Sequence, residues 1–160
     1  KKGRRTLYTY FKSKEDIYMA VVESELDMLS DMMKRVAEKN ISPDEKMIEM
    51  IYTRLDAVKE VVFRNGTLRA NFFRDIWRVE KIRKNFDIRE TELIQGILEA
   101  GVKEGIFAMP DTEITAVVLH HALKGLEVPY IRGIMGDNIS QRIKRRDNVM
   151  NLIFNGIKIK

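Results

Sequence analysis

The sequence contains no cysteine, only three prolines and only nine glycines among 160 residues. Without cysteine there are no disulfides, thiolate metal sites or cysteine nucleophiles, and the absence fits a reducing compartment. No apolar run approaches the roughly 18 residues that a membrane span requires. The opening stretch KKGRRTLYTYF lacks the apolar segment and small-residue cleavage site of a secretory signal. These features lead us to expect a cytoplasmic protein. The scarcity of proline and glycine removes the commonest breaks in secondary structure, and no segment shows the strict alternation of a half-buried strand. A hydrophobic content of 44% is enough to build a core.

What charge there is lies unevenly. Six of the 29 Lys and Arg residues fall within residues 1–14, which contain no acid; the other 23 stand against 24 Asp and Glu. A basic end on a nearly neutral body points to one local element that meets a polyanion, where a nucleic-acid coat protein would be basic throughout.

Helical periodicity runs almost the whole length. Ser13 followed by Asp16 has the form of a capping box, and Ile17, Val21, Met28, Met32 and Val36 predict one face of a helix reaching about Glu38. Ser42, Pro43 and Glu45 supply a cap, a first-turn proline and an acid three residues after the cap. Met47, Ile51, Leu55, Val58 and Val62 then follow at spacings of three and four, ending near Asn65-Gly66. Leu68, Phe72, Ile76, Val79, Ile82 and Phe86 form a third stripe. Asp87 and Glu90 read as the cap of a further helix carrying Leu93, Ile94, Ile97, Leu98 and Val102, closed by Gly105. Thr112 opens another, and the glycine-containing segment 132–138 separates it from a last helix near 140–157. The fold class expected is an all-α bundle of six or more helices.

The most informative stretch is Gly3 to Ala20, GRRTLYTYFKSKEDIYMA. Leu7 and Phe11 lie four apart and would pack inward. Arg4, Arg5 and Thr6 sit at the exposed start, where arginine can grip guanine bidentately and a threonine methyl can touch thymine. Tyr8, Tyr10 and Lys14 suit phosphate contacts. In register, Thr6, Leu7, Tyr8, Tyr10, Phe11, Ser13, Lys14, Glu15 and Ile17 resemble the end of the helix-turn-helix of TetR-family transcriptional regulators. The resemblance implies that Arg4, Arg5, Thr6 and Thr9 face the groove of DNA and that Tyr8, Tyr10 and Lys14 hold its backbone. It implies a recognition helix at about 4–11, a connecting helix at about 14–38 and a ligand-binding and dimerisation domain over 42–160. The helix-turn-helix is incomplete here, because the family carries about three dozen residues before this point; operator binding is therefore expected of the intact protein.

A second likeness covers Ala100 to Leu126, where Gly105, Phe107, Asp111, Ala116, Leu119, Ala122, Gly125 and Leu126 occupy the places of similar residues in that family. Val149, Leu152, Ile153, Phe154, Gly156 and Ile157 resemble its closing helix. The resemblance implies a homodimer through the last two helices, with Val117, Val118, Leu152 and Phe154 as contact candidates, and a repressor released from a palindromic operator by a small-molecule effector. Met47, Met50, Tyr52, Phe72, Phe73, Trp77, Leu98 and His121 are candidates to line an apolar effector site, methionine being adaptable and polarizable.

No carboxylate pairs with a serine or histidine at a catalytic spacing, and there is no phosphate-cradling glycine loop, so no enzyme activity and no cofactor are expected. A helical adaptor or small helical enzyme is the alternative. His120 and His121 point about 100° apart on a helix, and neither i+3 nor i+4 of His120 is acidic, which argues against a metal site.

Overall fold

Ser13, Ser42 and Asp111 each open a helix in the computed structural model, which describes residues 10–64, 76–133 and 139–157. Ser13 Oγ accepts from the Asp16 amide at 3.1 Å and starts α1, Lys14–Ala37. Glu45 reaches back to the Ser42 amide and hydroxyl at 3.2 and 3.0 Å, satisfying groups at the head of α2, Pro43–Arg64. Asp111 Oδ1 accepts from the Ile114 amide at 2.9 Å and begins α4, Thr112–Ile131. Between them runs α3, Ile76–Lys103, and the last described helix is α5, Ile139–Ile157. All regular structure among the described residues is helical, apart from a single bridge residue at Phe107.

The break expected at Asp87 is absent, since α3 passes through it without interruption for 28 residues. Asp87 and Glu90 look like cap residues in isolation, but they are held on the inward side of α3 by Lys124 and Arg54 from neighbouring helices. The helix ends where Gly105 takes φ +72°. There the Ile106 amide donates to Gly101 O at 2.8 Å and the Gly105 amide to Val102 O at 3.1 Å, which closes the last turn.

Helices α1, α2, α4 and α3 pack in a ring, and α2 and α3 also touch across it. Leu29, Met33 and Val36 of α1 meet Met47, Met50, Ile51 and Leu55 of α2 and Phe86, Ile94, Ile97 and Leu98 of α3; Ala116, Leu119 and Leu123 close the ring from α4. From α5, Met150 and Phe154 join this core, Phe154 stacking on Phe107 at 6.3 Å between centroids. The buried face of α1 differs from the expected one. Val22, Leu29 and Met33 point inward and Val21, Met28 and Met32 outward. Apolar residues stand side by side at 21–22, 28–29 and 32–33, so periodicity allows either face, and the position of α2 and α3 selects one. No described helix is long and apolar enough to cross a membrane.

Candidate functional site

On α2 the residues Met47, Met50, Arg54 and Ala57 recur at spacings of three and four and share one buried stripe. The stripe carries Arg54, at 0% exposure, into the junction of α2, α3 and α4. The same logic on α3 buries Arg83 and Glu90 beside Phe86 and Ile94, and on α4 it buries His120 and Glu127 beside Leu123 and Tyr130. Charged side chains in such a place cost several kcal/mol of desolvation each, roughly, unless they are paired and hydrogen-bonded.

They are paired. Arg54 Nε bonds Glu90 Oε1, its Nη2 lies 2.9 Å from Glu127 Oε1, and its Nη1 donates to the Leu123 carbonyl at 3.4 Å. Arg83 forms a two-pronged pair with Glu127, Nη1 to Oε2 at 2.8 Å and Nη2 to Oε1 at 2.7 Å. The second oxygen of Glu90 lies 2.6 Å from His120 Nδ1. At the edge of the cluster, Lys124 Nζ donates to Glu80 at 2.9 Å and to Asp87 Oδ2 at 3.3 Å. Asp87 Oδ1 is buried and accepts no hydrogen bond, with Arg83 Nε and His120 Nε2 each 3.8 Å away.

Burial alone would raise the Glu127 carboxyl; the hydrogen bond from Arg83 and the charges of Arg83 and Arg54 outweigh it and hold the group below its ordinary value. Burial would likewise lower Arg83, and its hydrogen bond and charge pairing with Glu127, helped by Asp87 and Glu90, carry it the other way. Arg83 therefore stays charged at every pH the protein will meet. A depressed carboxyl stabilises the fold fully above its unfolded value and loses that contribution as pH falls through its folded value. We expect the thermal midpoint to hold at neutral pH and to fall once pH drops below the usual Glu value of 4.5. In Glu127→Gln that part of the acid dependence should disappear, as scanning calorimetry from pH 7 down to about 3 would show. An acid limb unchanged in the variant would place the titrating groups elsewhere.

Beside the cluster, an open groove of about 640 Å³ runs between α3 and α4. Ile88 and Val117 give it apolar walls, Glu92 and Glu113 acidic ones, and Asp87, His120 and His121 also border it.

The residues picked out from sequence are placed as follows. Arg4, Arg5, Thr6, Tyr8 and Thr9, and also Phe72 and Phe73, lie outside the described residues. Tyr10 is 73% exposed and Lys14 is exposed at the start of α1. Met47, Met50 and Leu98 are together in the closed core, Tyr52 is half-buried and Trp77 lies in the first turn of α3. His121 stands apart from them, exposed on the groove. Val117, Val118 and Leu152 are exposed, Leu152 at 80%, whereas Phe154 is buried within the chain against Phe107. Sequence reasoning missed Arg54, Arg83, Glu90 and Glu127. Their signal was present as charge at positions where the helical repeat calls for apolar residues.

No family model and no curated protein matches the chain. Solved structures do match. A transcriptional regulator from Cytophaga hutchinsonii superposes with a TM-score of 0.77 at 22% identity, covering 98% of this chain and 82% of that one. A TetR/AcrR-family regulator from Thermobifida fusca gives 0.67 at 24% identity, over 96% and 80%. The fold is TetR-like. Escherichia coli NemR in its reduced form agrees as well, with a TM-score of 0.68 at 15% identity over 96% and 79%. Within the TetR-like fold, the Arg54 cluster sits where three helices of the body converge.

Proposed function

We propose that this chain is the body of a DNA-binding transcriptional regulator that acts in the cytoplasm as a homodimer, a repressor released from its operator when a small molecule binds. The observation that carries the reading is the match in register over Gly3 to Ala20, standing at the head of a chain with the TetR-like fold. Residues 1–14 supply the basic, tyrosine-bearing segment that phosphate contacts require. Helix α1 joins that segment to the body. Its surface pairs, Arg64 with Glu25 and Arg89 with Asp27, both at 2.8 Å, contribute at most about 1 kcal/mol each, so the packing of Leu29, Met33 and Val36 sets its position.

Dimerisation is supported by Ile114, Val117 and Val118 on the outer side of α4 and Leu152 on α5, all exposed in the single chain. Two recognition helices joined by such an interface would meet half-sites about 34–36 Å apart, and the two-fold axis calls for a palindromic operator. The effector would enter from the α3–α4 side, where Ile88 and His121 border the groove. Met47, Met50 and Leu98 lie deeper, and a ligand reaching them has to part α2 from α3. An effector that favours such a parted conformer lowers operator affinity by its differential binding energy.

The test is light scattering and DNA binding of the intact protein with Val118→Glu. The wild type should be a dimer that protects a palindrome. The variant should be a monomer at micromolar concentration, with operator affinity at least about 100-fold weaker, because a charge in an apolar contact is left unpaired. A wild-type monomer, or a dimer indifferent to Val118→Glu, would overturn the dimer assignment; no sequence-specific binding by the intact protein would overturn the regulator itself.

A further inference from the structure

We propose that His120 and Asp87 hold a divalent transition-metal ion at the floor of the α3–α4 groove, with Glu90 as the positioning carboxylate.

Glu90 Oε1 accepts from Arg54 Nε, and its second oxygen lies 2.6 Å from His120 Nδ1. With the imidazole proton on Nδ1, the lone pair stands on Nε2, the arrangement by which carboxylates orient metal-binding histidines. Nε2 faces Asp87 Oδ1 across 3.8 Å. Ions of the zinc class bind imidazole nitrogen and carboxylate oxygen at about 2.0–2.2 Å, so a single ion spans that gap. Asp87 Oδ1 accepts no hydrogen bond, while Oδ2 is taken by Lys124. Donor atoms of Asp87, Glu90 and His120 all lie within 4.8 Å of one another.

The charge balance agrees. Arg54, Arg83 and Lys124 stand against Glu80, Asp87, Glu90 and Glu127 in these pairs, one negative charge in excess. A mixed nitrogen and oxygen donor set suits Zn²⁺ or Co²⁺ better than calcium or magnesium.

The test is calorimetric titration of the chelator-treated full chain with Zn²⁺. One ion per chain should bind, and His120→Gln and Asp87→Asn should each weaken it at least about ten-fold, losing a ligand. Glu90→Gln should weaken it about ten-fold and move the visible absorption of the Co²⁺-loaded protein, a change that loss of packing alone does not produce. Asp87 is one-fifth exposed, so Asp87→Asn decides the matter if the buried His120 variant fails to fold. Absence of stoichiometric Zn²⁺ binding to the wild type overturns the site. So does binding that survives both His120→Gln and Asp87→Asn, or that follows His121→Gln in place of His120→Gln.

Discussion

Glu127→Gln is expected to lower the unfolding free energy by about 3–5 kcal/mol, the cost of leaving a buried charge uncompensated. Glu127 receives both prongs of Arg83 and lies 2.9 Å from Arg54. A neutral amide cannot balance two guanidinium groups, and both arginine side chains are almost wholly shielded from water. The loss is a large share of the roughly 5–15 kcal/mol that holds a domain together. Urea denaturation followed by far-UV circular dichroism gives the number. The paired change Arg83→Met with Glu127→Met should cost clearly less than the sum of the two single changes, because the penalty lies in the orphaned charge. Additive losses would mean that the two groups do not act as a pair.

Gly101→Ala is expected to destabilise the protein by about 1–3 kcal/mol although alanine is the better helix former. A methyl group at Gly101 would stand 2.1 Å from Phe107 Cδ2 and 2.5 Å from Cε2. The ring has nowhere to go: it is 1% exposed, it stacks on Phe154, and the Phe107 amide donates to the Gly101 carbonyl at 3.1 Å. The control lies on the same helix. Gly96→Ala meets nothing within 4 Å and should gain about 0.5–1 kcal/mol by removing a helix-interior glycine. Thermal denaturation of the two variants should therefore shift in opposite directions, and two shifts of the same sign would refute the close approach of Gly101 to Phe107.

How far these residues were legible beforehand varies with the range of the forces involved. The caps at Ser13 and Ser42, the start of α4 at Thr112 and the close of α3 at Gly105 are local events, settled within a few residues, and they fall where the sequence places them. The helical repeat through α2 is equally plain. The inner face of α1 was not legible, because adjacent apolar pairs make two faces equivalent until a neighbour packs on one. Asp87 and Glu90 resemble a cap for a related reason: acidic residues suit a helix start, and nothing within four residues of them reveals Arg54 or Lys124 on other helices.

His120 shows the division most clearly. Spacing on its own helix offers no acidic neighbour, and on that ground the sequence argues against a metal. The tertiary structure brings Glu90 to one ring nitrogen and Asp87 toward the other, from a helix about 30 residues earlier in the chain. The sequence by itself determined the helical class, the caps and the basic charge of residues 1–14, all of which depend on residues within one or two turns. Only the tertiary structure decided which faces close the core, where the buried charges find their counterions and what borders the α3–α4 groove. The physical reason is that burial and pairing are set by how helices pack, and packing joins residues whose separation in sequence carries no information about their distance in space.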